Sequence, residues 1–173
     1  VVEAAGAIWE ALSVASGMGS GVISPRTTYY DAGYLVLNNY RIQNYDGKGR
    51  GTVDMQEVLN QSLNTGAAFI AKEMGSDKFS EYMYSFGFGD KSGIDLPNDT
   101  AGLVSNLNSK RDIERATASY GQGIAFSAIS MVKALSALAN GGFLITPHLV
   151  TEIDYSVGLS KKIEYGEGER VLK

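Results

Sequence analysis

The sequence predicts an α+β fold, rich in helix and carrying few short strands. Three observations predict it. Several stretches place apolar residues at three- and four-residue spacing, the period of a helix with one buried face. Those stretches are bounded by capping residues or glycines, as helices are. The segments between them hold only short apolar runs set among 21 glycines and three prolines, which leaves room for hairpins but not for long strands.

Composition narrows the function. The chain has 173 residues, suiting one domain or a piece of one, and is 44% hydrophobic, enough for a sizeable core. A net charge of -4 argues against a nucleic-acid partner, which needs a basic face. Cysteine is absent, which excludes thiolate catalysis, disulfides and cysteine-bound zinc. His148 is the only histidine, so any Ser-His-Asp triad would depend on it, and a multi-histidine metal site is impossible. No metal site and no cofactor are expected. No apolar run reaches the length of a membrane span, and no secretory leader is present.

The elements follow in order. Val1 to Ala15 is apolar or small on nearly every face apart from Glu3 and Glu10, which predicts a buried helix. It has no capping residue ahead of it, so the chain is expected to begin in mid-helix, inside a larger fold. Gly6 within it predicts a close neighbour. Ser16 to Gly21 reads as a turn. Tyr34 to Ile42 predicts a hairpin about Asn38-Asn39, and Asn44 to Gly47 a further turn.

Val53 to Gly75 is the most informative stretch. It predicts two short helices, the first capped by Thr52 and the second ended by Gly75, with Ser62-Leu63-Asn64 between them. Two residues two apart cannot share a helix face, but in a turn both can point into a cleft. The plainer alternative is that Ser62 or Asn64 caps the second helix.

Next, Ser76 is expected to cap a helix over Asp77 to Phe86, with Phe79, Tyr82, Met83 and Phe86 as its core face. Asp95 shows no partner in the sequence and receives no catalytic role. A short charged helix is expected within Ser109 to Ala118. Tyr120-Gly121-Gln122-Gly123 lacks the spacing of a phosphate loop and reads as a tight turn. Ser127 should cap a helix from Ala128 to Ala139 with Ile129, Val132, Leu135, Leu138 and Ala139 buried, ended by Asn140-Gly141-Gly142. Strands are expected at Phe143 to Ile145 and His148 to Tyr155, with His148 structural and a polar hairpin or fraying end beyond Ser156.

Three blocks in order resemble class B penicillin-binding proteins, the transpeptidases that cross-link bacterial peptidoglycan. They are VLNQSLNTGAAFIAKEMG, FGFGDKSGIDLPNDTAG, and SYGQGIAFSAISMVKALSALANGGFLITPHLV. A weaker match precedes them in TTYYDAG and NYDGKGRGTV. Together they cover most of the chain. The resemblance implies that residues 1–173 are a partial transpeptidase domain, mainly its helical part, in a serine β-lactamase-like fold.

The resemblance also implies a chemistry. In that family a serine of a Ser-x-x-Lys motif, at the N-terminus of a buried helix, attacks the carbonyl of a D-alanyl-D-alanine stem peptide. The lysine is its base, and an acceptor amine then completes the cross-link. Ser62 matches the serine of the family's Ser-x-Asn motif, bridging that lysine to the leaving amine. Asn64 matches its asparagine, donating to a substrate carbonyl and fixing the lysine. Leu63 is expected to pack only.

Tyr120 and Gln122 are candidates for the substrate rim. The opening helix resembles the continuation just after the lysine, so the Ser-x-x-Lys pair is expected upstream of Val1. Ser130-Met131-Val132-Lys133 fits the formula but lies within a helix and is read as chance. Lys91-Ser92-Gly93 fits the third motif, Lys-Thr/Ser-Gly, but falls where the family has a surface loop, so no role is carried over.

The expected partners are peptidoglycan stem peptides, β-lactams and other cell-wall synthesis proteins. The expected place is the extracytoplasmic face of the cell membrane, with the anchor outside this chain. Read alone, the chain is expected neither to cross-link peptides nor to form a penicillin adduct. Two alternatives remain open. One is a serine β-lactamase or β-lactam sensor. The other is a scaffold of the cell-wall machinery that does no catalysis.

Overall fold

A helix needs a buried partner for its apolar stripe, and here the partner is the opening helix. A computed structural model describes residues 2–3 and 6–172 of the chain. Helix α1 (Gly6–Gly19) packs against α2 (Met55–Gln61), α3 (Asn64–Met74), α4 (Ser76–Ser85) and α6 (Ala128–Ala139). Helix α5 (Asp112–Ala118) packs on α3 from another side. Trp9 is fully buried and forms an aromatic cluster with Phe88 and Phe126, its ring centroid 4.4 Å from the first and 5.2 Å from the second. Close approach of α1 to α3 depends on Gly17. A β-carbon there would lie 2.7 Å from both Ile23 Cδ1 and Ile70 Cγ2.

The strands are short, and among the described residues they pair only in twos, all antiparallel. β1 (Val2–Glu3) pairs β6 (Ala125–Phe126), and β2 (Thr28–Asp31) pairs β5 (Gly51–Asp54). β3 (Tyr34–Leu37) and β4 (Tyr40–Gln43) form the expected hairpin. Asn38 and Asn39 both hold positive φ at its tip, the backbone that a two-residue turn between twisted strands requires. β7 (Phe143–Leu144) pairs β10 (Glu169–Arg170), and β8 (Glu152–Asp154) pairs β9 (Ser160–Lys162). This matches the α+β expectation of many helices and few short strands.

Several expectations need correction. The opening helix does not start in mid-helix: its first turn begins at Gly6, behind a strand at Val2–Glu3. The part of that expectation on residues 1, 4 and 5 lies outside the described residues. The helix also runs through the expected turn at Ser16 to Gly19, because Ser16 satisfies its own hydroxyl on Leu12 O at 2.7 Å instead of breaking the helix.

Thr52 does not cap α2, since it pairs with Tyr30 in a ladder. Asp54 caps instead, its Oδ1 accepting from Glu57 N at 3.0 Å. Ser76 is the first residue of α4, not its cap. Ser127 does cap α6, accepting from Ser130 N at 3.1 Å.

The buried face of α6 is also different. Met131, Ala134 and Ala137 face inward, whereas Val132 and Leu138 are exposed. That helix is apolar nearly all round, so periodicity could not choose the face; small alanines allow the closest approach. His148 lies outside any strand, exposed and stacked on Tyr165 at 3.6 Å between centroids. Asp95 has partners after all, accepting from Leu149 N and Val150 N at 2.8 Å each.

Candidate functional site

Asp31 organises the approach to the Ser62-Leu63-Asn64 turn. It is buried and accepts from Gly33 N at 2.8 Å, Arg50 N at 3.1 Å and Asn44 Nδ2 at 2.9 Å. Thr65 Oγ1 donates to Asp31 Oδ1 at 2.8 Å, which leaves the Tyr29 hydroxyl to donate to Thr65 at 3.1 Å. Burial pushes the Tyr29 hydroxyl up to about 12, so it stays a donor. Thr65 N donates to Asn44 Oδ1 at 3.2 Å. The β2–β5 excursion is thereby locked to the first turn of α3.

The turn itself is set by packing. Leu63 is fully buried, as expected, and its carbonyl accepts from Gly66 N and Ala67 N to start α3. Neither Ser62 nor Asn64 caps that helix, which removes the plainer alternative. Ser62 ends α2 in the left-handed conformation, φ 50° and ψ 63°, a costly backbone for a non-glycine residue. Gly66 allows α2 and α3 to meet, since a β-carbon there would clash with both Val58 methyls.

The two candidate side chains look to different elements. Asn64 Nδ2 donates to Gln43 O at 2.9 Å, which ties the carboxamide to the end of β4 and leaves its second N–H free. Ser62 lies beside Glu10 in the first turn of α1. Glu10 is 1% exposed, and neither carboxylate oxygen has a regular hydrogen bond. Burial pushes its pKa up, and the neighbouring Ser62 hydroxyl offsets only part of that. The side chain that meets Ser62 from the opening helix is thus a carboxyl group. Sequence reading missed Glu10; the signal available was a lone charge in an otherwise apolar helix.

Tyr120 and Gln122 separate. The Tyr120 side chain is buried with Ile42, Ala67 and Ala116, and burial pushes its hydroxyl up to about 12. Its carbonyl lies beside Gly6 at the start of α1, the close neighbour expected there. Gln122, in the same turn, is exposed. Ser130 and Lys133 do not form a catalytic pair, because Lys133 Nζ donates to Ser92 O at 2.9 Å and Ser130 is held by Ser127. Ser92 and Gly93 hold the Asp99 carboxylate, which fits a structural loop.

A separate cavity of about 570 Å³ lies between the β3 strand and helices α3, α4 and α5, lined by Tyr34, Leu37, Phe69, Phe79 and Arg115 among others. Thr65 reaches its wall, but Glu10, Ser62 and Asn64 do not line it.

Glu10 gives a pH prediction. Its folded-state pKa is raised, so the native state binds this proton more tightly than the unfolded chain does. That contribution is full below the unfolded value and is lost as pH rises through the folded one. Glu10→Gln should therefore stabilise the protein at pH 7 by about 1–3 kcal/mol, and the gain should vanish near pH 4. Melting curves of both proteins against pH measure it. A variant less stable at pH 7 would contradict the account.

A buried helix whose early residues meet a Ser-x-Asn turn, with a hairpin behind the asparagine, is the arrangement that the resemblance to a transpeptidase domain leads one to expect. The family described as penicillin binding protein transpeptidase domain matches residues 11–171, and the chain belongs to it. Stage V sporulation protein D of Bacillus subtilis is 35% identical over 127 residues, which is 73% of this chain and 20% of that protein. The peptidoglycan D,D-transpeptidase MrdA of Haemophilus influenzae is 32% identical over 147 residues, 79% of this chain and 23% of that protein.

Among solved structures, the transpeptidase domain of penicillin-binding protein 3 from Burkholderia pseudomallei superposes with a TM-score of 0.81 at 25% identity, over 96% of this chain and 47% of that one. A peptidoglycan synthetase from Bifidobacterium adolescentis gives a TM-score of 0.88 at 20% identity, over 96% of this chain and 31% of that one, a likeness of fold alone. The chain spans under a quarter of the length of these curated relatives.

Proposed function

We propose that this chain serves peptidoglycan cross-linking as the stem-peptide-recognising part of a D,D-transpeptidase domain. The observation that carries this reading is the meeting of Ser62 with the first turn of α1, while Asn64 is fixed on β4 with an N–H to spare. A D-alanyl-D-alanine terminus offers that N–H a carbonyl, and Ser62 can both accept and donate. The Tyr120 carbonyl lies beside Gly6 at the start of α1, and Gln122, exposed in the same turn, would border the groove. β-Lactams would compete for the same groove. The whole protein would work at the extracytoplasmic face of the membrane, among other cell-wall synthesis proteins. Among the described residues no helix is long and apolar enough to cross a membrane.

The scaffold alternative has one specific observation in its favour, the Glu10 carboxyl against Ser62. Burial favours the protonated form of that carboxyl, and a protonated carboxyl cannot accept the serine proton that the lysine base takes in this family.

Calorimetric titration of the full-length protein with a D-alanyl-D-alanine peptide tests recognition. Asn64→Ala should weaken binding about tenfold, the worth of one hydrogen bond to a buried polar group, with the melting temperature little changed. Equal affinity for an L-alanyl-L-alanine peptide would contradict the reading.

A further inference from the structure

We propose that this groove binds its ligand without acylating it, because the first turn of α1 presents Ala7 and Glu10 to the Ser62 turn instead of a nucleophile and its base. This rests on the groove being the stem-peptide site and keeps that recognition, but it removes acyl transfer from this domain, which would then serve cross-linking by holding the peptide alone. Ala7 precedes Glu10 by three residues and so shares its side of the helix. Ala7 is exposed, about one helical turn before the carboxyl that meets Ser62.

Acylation needs an oxygen lone pair to attack the carbonyl carbon. The hydroxyl proton must pass to a base and then to the departing nitrogen as the C–N bond breaks. The methyl group of Ala7 supplies no lone pair.

The other hydroxyls nearby are committed. Ser13 donates to Ser119 O at 2.6 Å, Ser119 to Ala116 O at 2.6 Å, Ser16 to Leu12 O at 2.7 Å and Thr65 to Asp31 at 2.8 Å, and all four are buried. Ser62 is half-buried, and its neighbour is Glu10. Burial favours the protonated form of that carboxyl, which has no room for the Ser62 proton.

Glu10, itself 1% exposed, occupies the side of Ser62 that faces α1. His148 is engaged with Tyr165.

Incubation of the full-length protein with benzylpenicillin, read by intact-mass spectrometry beside calorimetric titration of the D-alanyl-D-alanine peptide, tests this. Peptide binding with no penicilloyl mass shift is the expected result. A stoichiometric adduct mapped to Ser62, or to any residue of this domain, would overturn it. Absence of both binding and adduct would refute the stem-peptide reading and not the failure to acylate. The double variant Ala7→Ser/Glu10→Lys, checked for a cooperative melt, should gain an adduct at position 7. A folded double variant that gains none would overturn the assignment of these two positions.

Discussion

Replacing Asp31 by alanine is expected to lower stability by about 3–5 kcal/mol, much of the net stability of an ordinary domain. The buried carboxylate accepts from Gly33, Asn44, Arg50 and Thr65; its loss leaves Gly33 N without an acceptor and reduces the other three to one remaining partner each, Lys48 O, the Asp31 carbonyl and Asn44 Oδ1. Urea unfolding should show a lower midpoint with an unchanged slope. Asp31→Asn keeps the shape but turns one acceptor oxygen into a donor, so a smaller loss is expected. The site should suffer as well, because Thr65 and Asn64 are adjacent and both lean on this excursion. A loss under 1 kcal/mol for the alanine variant would show that the network does not hold the turn.

Trp9→Ala should cost a similar amount, about 3–5 kcal/mol. The indole is fully buried between Phe88 and Phe126, and its removal leaves a cavity that three separate elements would have to collapse to fill. Trp9→Phe should cost far less. The indole N–H is buried without a partner, so the phenyl ring loses contact area but removes an unsatisfied donor. Thermal melts of the two variants separate cavity from polarity. Equal losses would mean that the indole N–H has a partner in solution.

Much of this fold was legible in local chemistry. The Asn38-Asn39 turn, the Ser127 cap and the stop at Gly75 each follow from one residue's backbone or side-chain preference, and each was found where expected. What could not be read was set by contacts distant in sequence. The inward face of α6 was chosen by how near alanines let it approach. The cap of α2 passed from Thr52 to Asp54 because Thr52 was claimed by a ladder with Tyr30.

The site divides the same way. The Ser-x-Asn pattern marked Ser62 and Asn64, but the partner of each came from another element. Gln43 supplied a carbonyl from β4 and Glu10 a carboxyl from α1. Tyr120, marked by its neighbours in the chain, turned its ring into the core because Ala67 and Ala116 leave space there.

Mapping amide chemical shifts during titration with a D-alanyl-D-alanine peptide is the most direct test of where the ligand sits. The largest changes should fall on Ala7 to Glu10, Ser62 to Thr65 and Gln122. Changes confined to the cavity walled by Tyr34, Phe69 and Arg115, with the first turn of α1 silent, would contradict the account.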